Sequence, residues 1–426
     1  MFDFCARLCY TISDIDKSTK ERDMGQFNAI VGQSGGPTCA INATLSGVIR
    51  ACLESKKINR LYGMKNGIEG LMKEDIVDLF SFFEDEKSLD ALELTPASAL
   101  GTCRLRLPDI GGDESRYEKI VEVLKKNDIH IFFYIGGNDS MDTVDKLSQY
   151  VKKNALDILV IGVPKTIDND LVVTDHTPGY GSACKYIATT LKEIIRDCAV
   201  YTQKAVTIVE IMGRDSGWLT ASASLCALDG KGVDLIYFPE RAFDDDKFIS
   251  DVKRVLDDHN DVVVAISEGI RYSDGEYVCH NNSVDVFGNR QLCGSATALA
   301  SLVKGRLGCK TRAIELNVPQ RCASHLCSAT DIAESVMIGS HAVKLALEGR
   351  SGIVPVFVRQ DGEYKIGFSC ANAHDIANKV KFIPDNFIGE DECSATEECI
   401  KYVLPLIQGE RFPEFKNGLP VQLVIK

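Results

Sequence analysis

Pro164-Lys165-Thr166-Ile167-Asp168-Asn169-Asp170 follows directly on the apolar run Ile158 to Val163. A short, β-branched run of that kind reads as a buried strand. The segment behind it crowds a cation, a hydroxyl and two carboxylates together, a composition that a plain turn does not need. The same order recurs four more times. Asn28 to Gly32 precedes QSGGP, Ile129 to Ile135 precedes GGNDS, Ala205 to Ile211 precedes MGRDSG, and Val262 to Ile266 precedes SEG. Strands alternating with helical stretches imply a mostly parallel sheet covered on both faces, and such sheets bind ligands beyond the carboxyl ends of their strands. Five polar clusters therefore fall where an active site belongs.

Composition narrows the class. The 426 residues are 45% hydrophobic and 26% charged, enough for two conventional domains. With 48 basic against 61 acidic residues, the net charge of −13 gives the chain as a whole no attraction for nucleic acid or an anionic membrane, so neither is expected as a partner. Anionic ligands need local basic clusters. The 16 cysteines are scattered from Cys5 to Cys399 without a CxxC pair, which reads as reduced thiols rather than a disulfide scaffold. There is no apolar run of about eighteen residues and no secretory h-region, so an intracellular, cytoplasmic protein is expected. Asp3, Asp14, Asp16 and Glu21 argue against an organellar leader.

The clearest helix signal follows Ser328: Asp331 and Glu334 have the spacing of a cap, Ile332, Val336, Val343 and Leu347 recur at helical intervals, and Gly349 marks the stop. No low-complexity linker divides the chain, so interwoven lobes are expected. No solenoid repeat is visible.

Each loop has its own chemistry. In Gly32-Gln33-Ser34-Gly35-Gly36-Pro37, paired glycines let backbone N–H groups approach a phosphate, and the following helix adds its positive end. By itself the loop is equally an ordinary strand-to-helix turn. Gly136 to Ser140 carries Asn138 and Asp139, which serve either as a helix cap or, with a divalent cation between them and phosphates, as a donor or metal contact. In the 164–170 segment, one carboxylate can take a proton from a hydroxyl nucleophile while the other helps hold a cation, and Lys165 can neutralise a transferring phosphoryl group. Arg214 and Glu268 at later strand ends, together with Arg321, suit a sugar phosphate, because guanidinium grips phosphate and Glu accepts sugar hydroxyls.

Taken in order, SGGP, GGNDS, PKTIDND, MGR, SEG and QR resemble the phosphofructokinase family over roughly the central three quarters of the chain. The combination of PKTIDND and MGR is the specific part; diacylglycerol and NAD kinases also carry GGDG-like loops. The resemblance implies an α/β fold of two Rossmann-like lobes with mostly parallel sheets and the active site in the cleft at the strand C-terminal ends. It implies residues 1–26 as an N-terminal extension, 27–177 as the phosphoryl-donor lobe, 178–325 as the sugar-phosphate lobe, and 326–426 as a region returning to both. Asp168 looks like the base acting on the 1-hydroxyl of fructose 6-phosphate, with Lys165 and Arg214 as catalytic companions. Thr166, Ile167, Met212, Gly213, Arg214, Glu268, Arg321 and His325 are implied around the substrate, and Gly36, Arg104 and Asp139 on the donor side.

Two positions bear on the donor. ATP-using relatives have glycine where this chain has Asp139, and the pyrophosphate-using branch has aspartate there and lysine at the position of Lys165. The resemblance therefore implies pyrophosphate as phosphoryl donor, Mg²⁺ as cofactor held by Asn138 and Asp170, and a homodimer or homotetramer. ATP-dependent phosphorylation of fructose 6-phosphate is the alternative. A dinucleotide-binding oxidoreductase lacks a GxGxxG loop with an acidic residue about twenty positions on. A silent sugar-phosphate-binding subunit does not account for Lys165, Asp168 and Asp170 together. Allosteric bacterial relatives present two arginines from the first helix to a phosphorylated effector; the matched positions here are Ser46 and Arg50, so little response to nucleotide diphosphates or phosphoenolpyruvate is expected.

Overall fold

β1 (Phe27–Gln33) pairs in parallel with β2 (Ile58–Met64) on one side and β4 (Ile129–Gly136) on the other, and β4 pairs in parallel with β5 (Leu159–Pro164). The short β3 (Ile76–Asp78) closes one edge antiparallel to β2. These strands come from a computed structural model that describes residues 27–83, 85–284, 290–292 and 294–425; the expected N-terminal extension lies outside them. The second sheet holds β6 (Ala205–Ile211), β7 (Leu235–Tyr237), β8 (Asp261–Ser267) and β9 (Lys310–Glu315) in the order β9-β6-β8-β7, all parallel. All five strands read from the sequence are present.

The chain then returns to the first sheet. β10 (Ile353–Arg359) lies parallel to β5, and β11 (Ile366–Asn372) is the antiparallel outer strand, completing the seven-stranded order β11-β10-β5-β4-β1-β2-β3. Alternate residues of the central strands serve opposite faces. Ile30, Phe132, Tyr134 and Val160 pack with Met141, Val144 and Leu147 of α2 (Asn138–Lys153). Ala29, Val31, Ile131 and Phe133 pack with Leu45 and Val48 of α1 (Ile41–Glu54) and with Val343 and Ala346 of α4 (Ala329–Leu347). A sheet buried on both faces explains why these strands are continuous apolar runs.

In the second sheet, Val209, Ile211, Val263 and Ala265 pack against α3 (Tyr180–Cys198), and this core also takes up Cys399, Val403 and Leu406 from the end of the chain. Residues after 350 thus contribute to the cores of both sheets. Among the described residues, no helix is long and apolar enough to cross a membrane, and the assigned cysteines, Cys39 to Cys399, are free thiols.

The cap expected from Asp331 and Glu334 needs correction. Ser328 caps α4, accepting the N–H of Asp331 at 3.3 Å. The Asp331 carboxylate instead accepts from the N–H groups of Gly179 and Ser182, at 2.8 and 3.0 Å, at the start of α3. A carboxylate at a helix N-terminus stabilises it whichever element supplies the side chain. Glu334 bonds the buried His176 at 2.8 Å. Local spacing located the helix start, but both acidic side chains are claimed by distant segments.

Candidate active site

The ends of β1 and β5 build one wall. Lys165, only 2% exposed, donates from Nζ to the carbonyls of Ser34 at 3.0 Å and Gly36 at 2.6 Å. A Cβ placed on Gly35 would lie 3.6 Å from that Nζ, and one on Gly36 would lie 3.4 Å from Nη1 of Arg321. The glycine pair is therefore flanked by two cations. Burial pulls the Lys165 ammonium down to about 8; Asp168 and Asp170 hold it up, while Arg321 and Arg104 push it further down. Those charges share one neighbourhood.

Asp168, Asn169 and Asp170 turn tightly behind β5. The Asp168 N–H donates to Thr166 Oγ1 at 3.1 Å, and that hydroxyl donates to Asp168 Oδ2 at 3.4 Å. Asn169 is fully buried with φ of 53°, a left-handed conformation that asparagine tolerates better than most residues. Burial raises the Asp168 carboxyl above its ordinary range. It lifts Asp170 to about 7, with the negative charge of Asp168 adding to the effect.

The opposite wall comes from the second sheet. The Gly213 N–H donates to Glu268 Oε1 at 3.2 Å, and Ser267 Oγ donates to the Gly213 carbonyl at 2.5 Å. A Cβ on Gly269 would stand 1.8 Å from the carbonyl of Arg214, so only glycine lets the MGR and SEG loops cross there. Met212 is fixed by Gln320 Oε1, which accepts its N–H at 3.2 Å. Glu268 is pushed up to about 7 by burial, by Asp168 and by Glu210, against the pull of the Gly213 N–H and Arg214. The two walls also meet where Arg321 comes against Gly36, a Cβ on which would lie 3.4 Å from Nη1.

Three buried donors here have no acceptor among the described residues: Arg214 Nε, Gln320 Nε2 and Arg321 Nε. Unpaired buried donors are rare in folded proteins and destabilising, so a cluster of them suits an anionic ligand. His325 lies exposed in the turn Ser324–Leu326, beyond Arg321.

The GGNDS loop divides. Asp139, in the first turn of α2, meets Nη2 of Arg106 at 2.5 Å, both side chains half exposed. Asn138 is engaged by the protein: Oδ1 accepts the Asn378 N–H and Nδ2 donates to the Lys379 carbonyl, each at 2.6 Å. A metal ligand at Asn138 gains no support from that geometry. Sequence reasoning passed over Arg106, Gln320 as a positioning group, and Lys381, whose ammonium reaches Asn169 Oδ1 at 3.1 Å. The pairing of CRLR with the anionic loop offered a signal for Arg106; the stretch around Lys381 carries no motif.

Comparison with known proteins agrees with this layout. The family model described as Phosphofructokinase matches residues 28–346. The chain is 42% identical over 402 residues to a pyrophosphate–fructose 6-phosphate 1-phosphotransferase of Halomonas elongata, covering 93% of this chain and 96% of the relative. It is 40% identical over 412 residues to one of Xanthomonas campestris pv. campestris, covering 95% and 97%. The crystal structure of a pyrophosphate-dependent phosphofructokinase from Nitrosospira multiformis superposes with a TM-score of 0.84 at 37% identity, covering 93% of this chain and 95% of that one.

Proposed function

The chain belongs to the phosphofructokinase family, and we propose that it transfers a phosphoryl group reversibly from pyrophosphate to the 1-hydroxyl of fructose 6-phosphate, a glycolytic step giving fructose 1,6-bisphosphate and phosphate. The observation that carries this reading is the buried Lys165 ammonium, bonded to the carbonyls of the SGGP loop within charge range of Asp168. At about 8 its pKa keeps Lys165 cationic at neutral pH, so it neutralises charge on the transferring group. Asp168, with its proton affinity raised by burial, takes the proton of the 1-hydroxyl as the oxygen attacks. Arg214 and Arg321 hold the sugar phosphate, and Glu268 orients a sugar hydroxyl. Thr166, Ile167, Met212 and Gly213 shape the substrate contact, while Gly36, Arg104 and Asp139 face the donor.

Asp139 sets the donor by adding bulk and negative charge where a nucleotide's inner phosphate passes. Magnesium fits beside Asp170. Mg²⁺ is usually held by one or two carboxylates together with substrate phosphates, and the Asp170 carboxyl, lifted to about 7 by burial and by the charge of Asp168, would gain from a cation beside it. When bound, it draws negative charge off the phosphoryl oxygens. Residues 27–177 as donor lobe, 178–325 as sugar lobe, a cleft between them, a cytoplasmic location and a homodimer or homotetramer belong to the same proposal.

The test offers pyrophosphate or ATP to the purified protein with fructose 6-phosphate and Mg²⁺. Pyrophosphate is expected to give kcat/KM at least about 10²-fold above ATP. Asp139→Gly is expected to admit ATP while weakening pyrophosphate use only moderately. A parent that prefers ATP, or a folded Asp139→Gly protein with no detectable ATP use, overturns the donor assignment.

A further inference from the structure

Residues 378–383, far along the chain from every motif of the site, run across three of its loops, GGNDS, PKTIDND and MGRDSG. On the donor side, Asn378 and Lys379 take both ends of the Asn138 amide. At the centre, the Lys381 N–H donates to the carbonyl of Asp170 at 2.7 Å. On the sugar side, the Lys381 carbonyl accepts Trp218 Nε1 at 2.8 Å and Ser216 Oγ at 3.3 Å, just beyond Arg214. Ile383 N–H and Gly217 N–H share Glu240 Oε1, at 3.2 and 2.9 Å.

The Lys381 side chain goes further. Its Nζ donates to Asn169 Oδ1 and to the carbonyls of Thr174 and Asp175, at 3.1, 3.2 and 2.8 Å, and lies 5.0 Å from the centre of the Trp218 ring. Asn169 Nδ2 in turn donates to Tyr402 Oη at 3.0 Å, and that hydroxyl donates to the Asp175 carbonyl at 2.6 Å. Asn169 is the left-handed residue between the two carboxylates of the reaction loop. An ammonium with three fixed acceptors and a hydroxyl with one hold its amide from both ends, and so fix the directions in which Asp168 and Asp170 leave the backbone.

We propose that Lys381 is a positioning residue for phosphoryl transfer, assisted by Tyr402: acting through Asn169, it sets the angle of Asp168 to the bound sugar hydroxyl and keeps the donor and sugar loops in register. This rests on the assignment of Asp168 as the base. A residue that places the base, without touching either substrate, acts on kcat and leaves KM nearly alone.

The experiment compares kcat and KM of the full chain, Lys381→Met, Lys381→Ala and Tyr402→Phe, with whichever donor the parent uses. A wrong donor therefore shows in the parent, and a wrong positioning role only in the ratio of variant to parent. Lys381→Met is expected to lose about 30-fold or more in kcat with both KM values within about threefold, and Tyr402→Phe to lose about threefold to tenfold in the same pattern. Added propylammonium is expected to restore part of kcat in Lys381→Ala, which a general loss of stability does not allow. Lys381→Met with kcat within threefold of the parent, or with raised KM at unchanged kcat, overturns the proposal. If the Lys381 variants do not fold, Tyr402→Phe decides: it keeps the ring and removes only the hydroxyl, and unchanged kcat in it overturns the proposal.

Discussion

Lys165 and Arg50 are cations at two places where a phosphate could be expected, and their surroundings are opposite. Lys165 is buried and bonded to backbone carbonyls; Asp168 and Asp170 hold its proton affinity up, yet burial together with Arg321 and Arg104 leaves it lowered to about 8. Arg50, on α1, is closed off by the protein's own carboxylates: it bonds Glu86, meets Asp90 at 2.9 Å and Glu93 at 3.1 Å, and Glu93 also accepts from Ser46 Oγ at 3.1 Å. Its guanidinium pKa rises because those carboxylates outweigh the effect of burial. The difference lies in compensation. A cation whose carboxylates bond it directly and outweigh its burial is a structural ion pair; one that burial and neighbouring cations leave depressed despite nearby carboxylates attracts an anion from outside.

The most severe break in this contrast is removal of the carboxylate that works beside Lys165. Asp168→Ser is expected to lower kcat by roughly 10²-fold or more, with a smaller effect on KM. Steady-state kinetics with both substrates checks it, and near-normal kcat would remove Asp168 from the role of base. Next comes the cation itself: Lys165→Gly is expected to damage pyrophosphate catalysis by about 10²-fold, the scale of one charge-assisted contact in a dry site. Equal turnover in variant and parent would put Lys165 in the same class as Arg50.

His176 sharpens the contrast through a buried cation that is fully compensated. It bonds Asp175 Oδ1 at 2.9 Å and Glu334 Oε2 at 2.8 Å, and stacks on Phe357 at 4.6 Å. Burial alone lowers a histidine's proton affinity, but these two carboxylates outweigh it and His176 is raised. Burial likewise opposes ionisation of Asp175, yet His176 and Arg359 draw it down to about 2. The folded state therefore holds the His176 proton more tightly than the unfolded chain. That stabilisation is complete below the ordinary histidine value of about 6.5 and is lost as pH rises through the folded value. Thermal unfolding of the parent and His176→Gln from pH 5.5 to 9 is expected to show the gap in Tm narrowing with rising pH. A gap that widens reverses the assignment.

The smallest expected effect is at Arg50. With its charge already met, nucleotide diphosphates and phosphoenolpyruvate at physiological concentrations are expected to shift apparent substrate affinity by less than about twofold. A several-fold shift with either compound would show that the carboxylates yield to an effector.

The sequence by itself determined the strands and the loops that follow them. A strand buried on both faces must be a continuous apolar run, and the polar cluster after it is where the chain leaves the core, so β1, β4, β5, β6 and β8 and the motifs behind them were legible from local order alone. Local order could not say which distant group each side chain meets. Asp331 and Glu334 have the spacing of a capping box, yet one caps α3 and the other pairs with His176. Asn138 has the look of a metal ligand, yet its amide is spent on Asn378 and Lys379. Lys381 stands in a stretch without any motif and still reaches Asn169, more than two hundred positions earlier. Hydrophobic periodicity is written in neighbouring residues. The partner of a polar side chain is fixed only when the sheets pack and the chain's return brings residues 378–402 over the strand ends, because burial then leaves each polar group to the nearest complementary one.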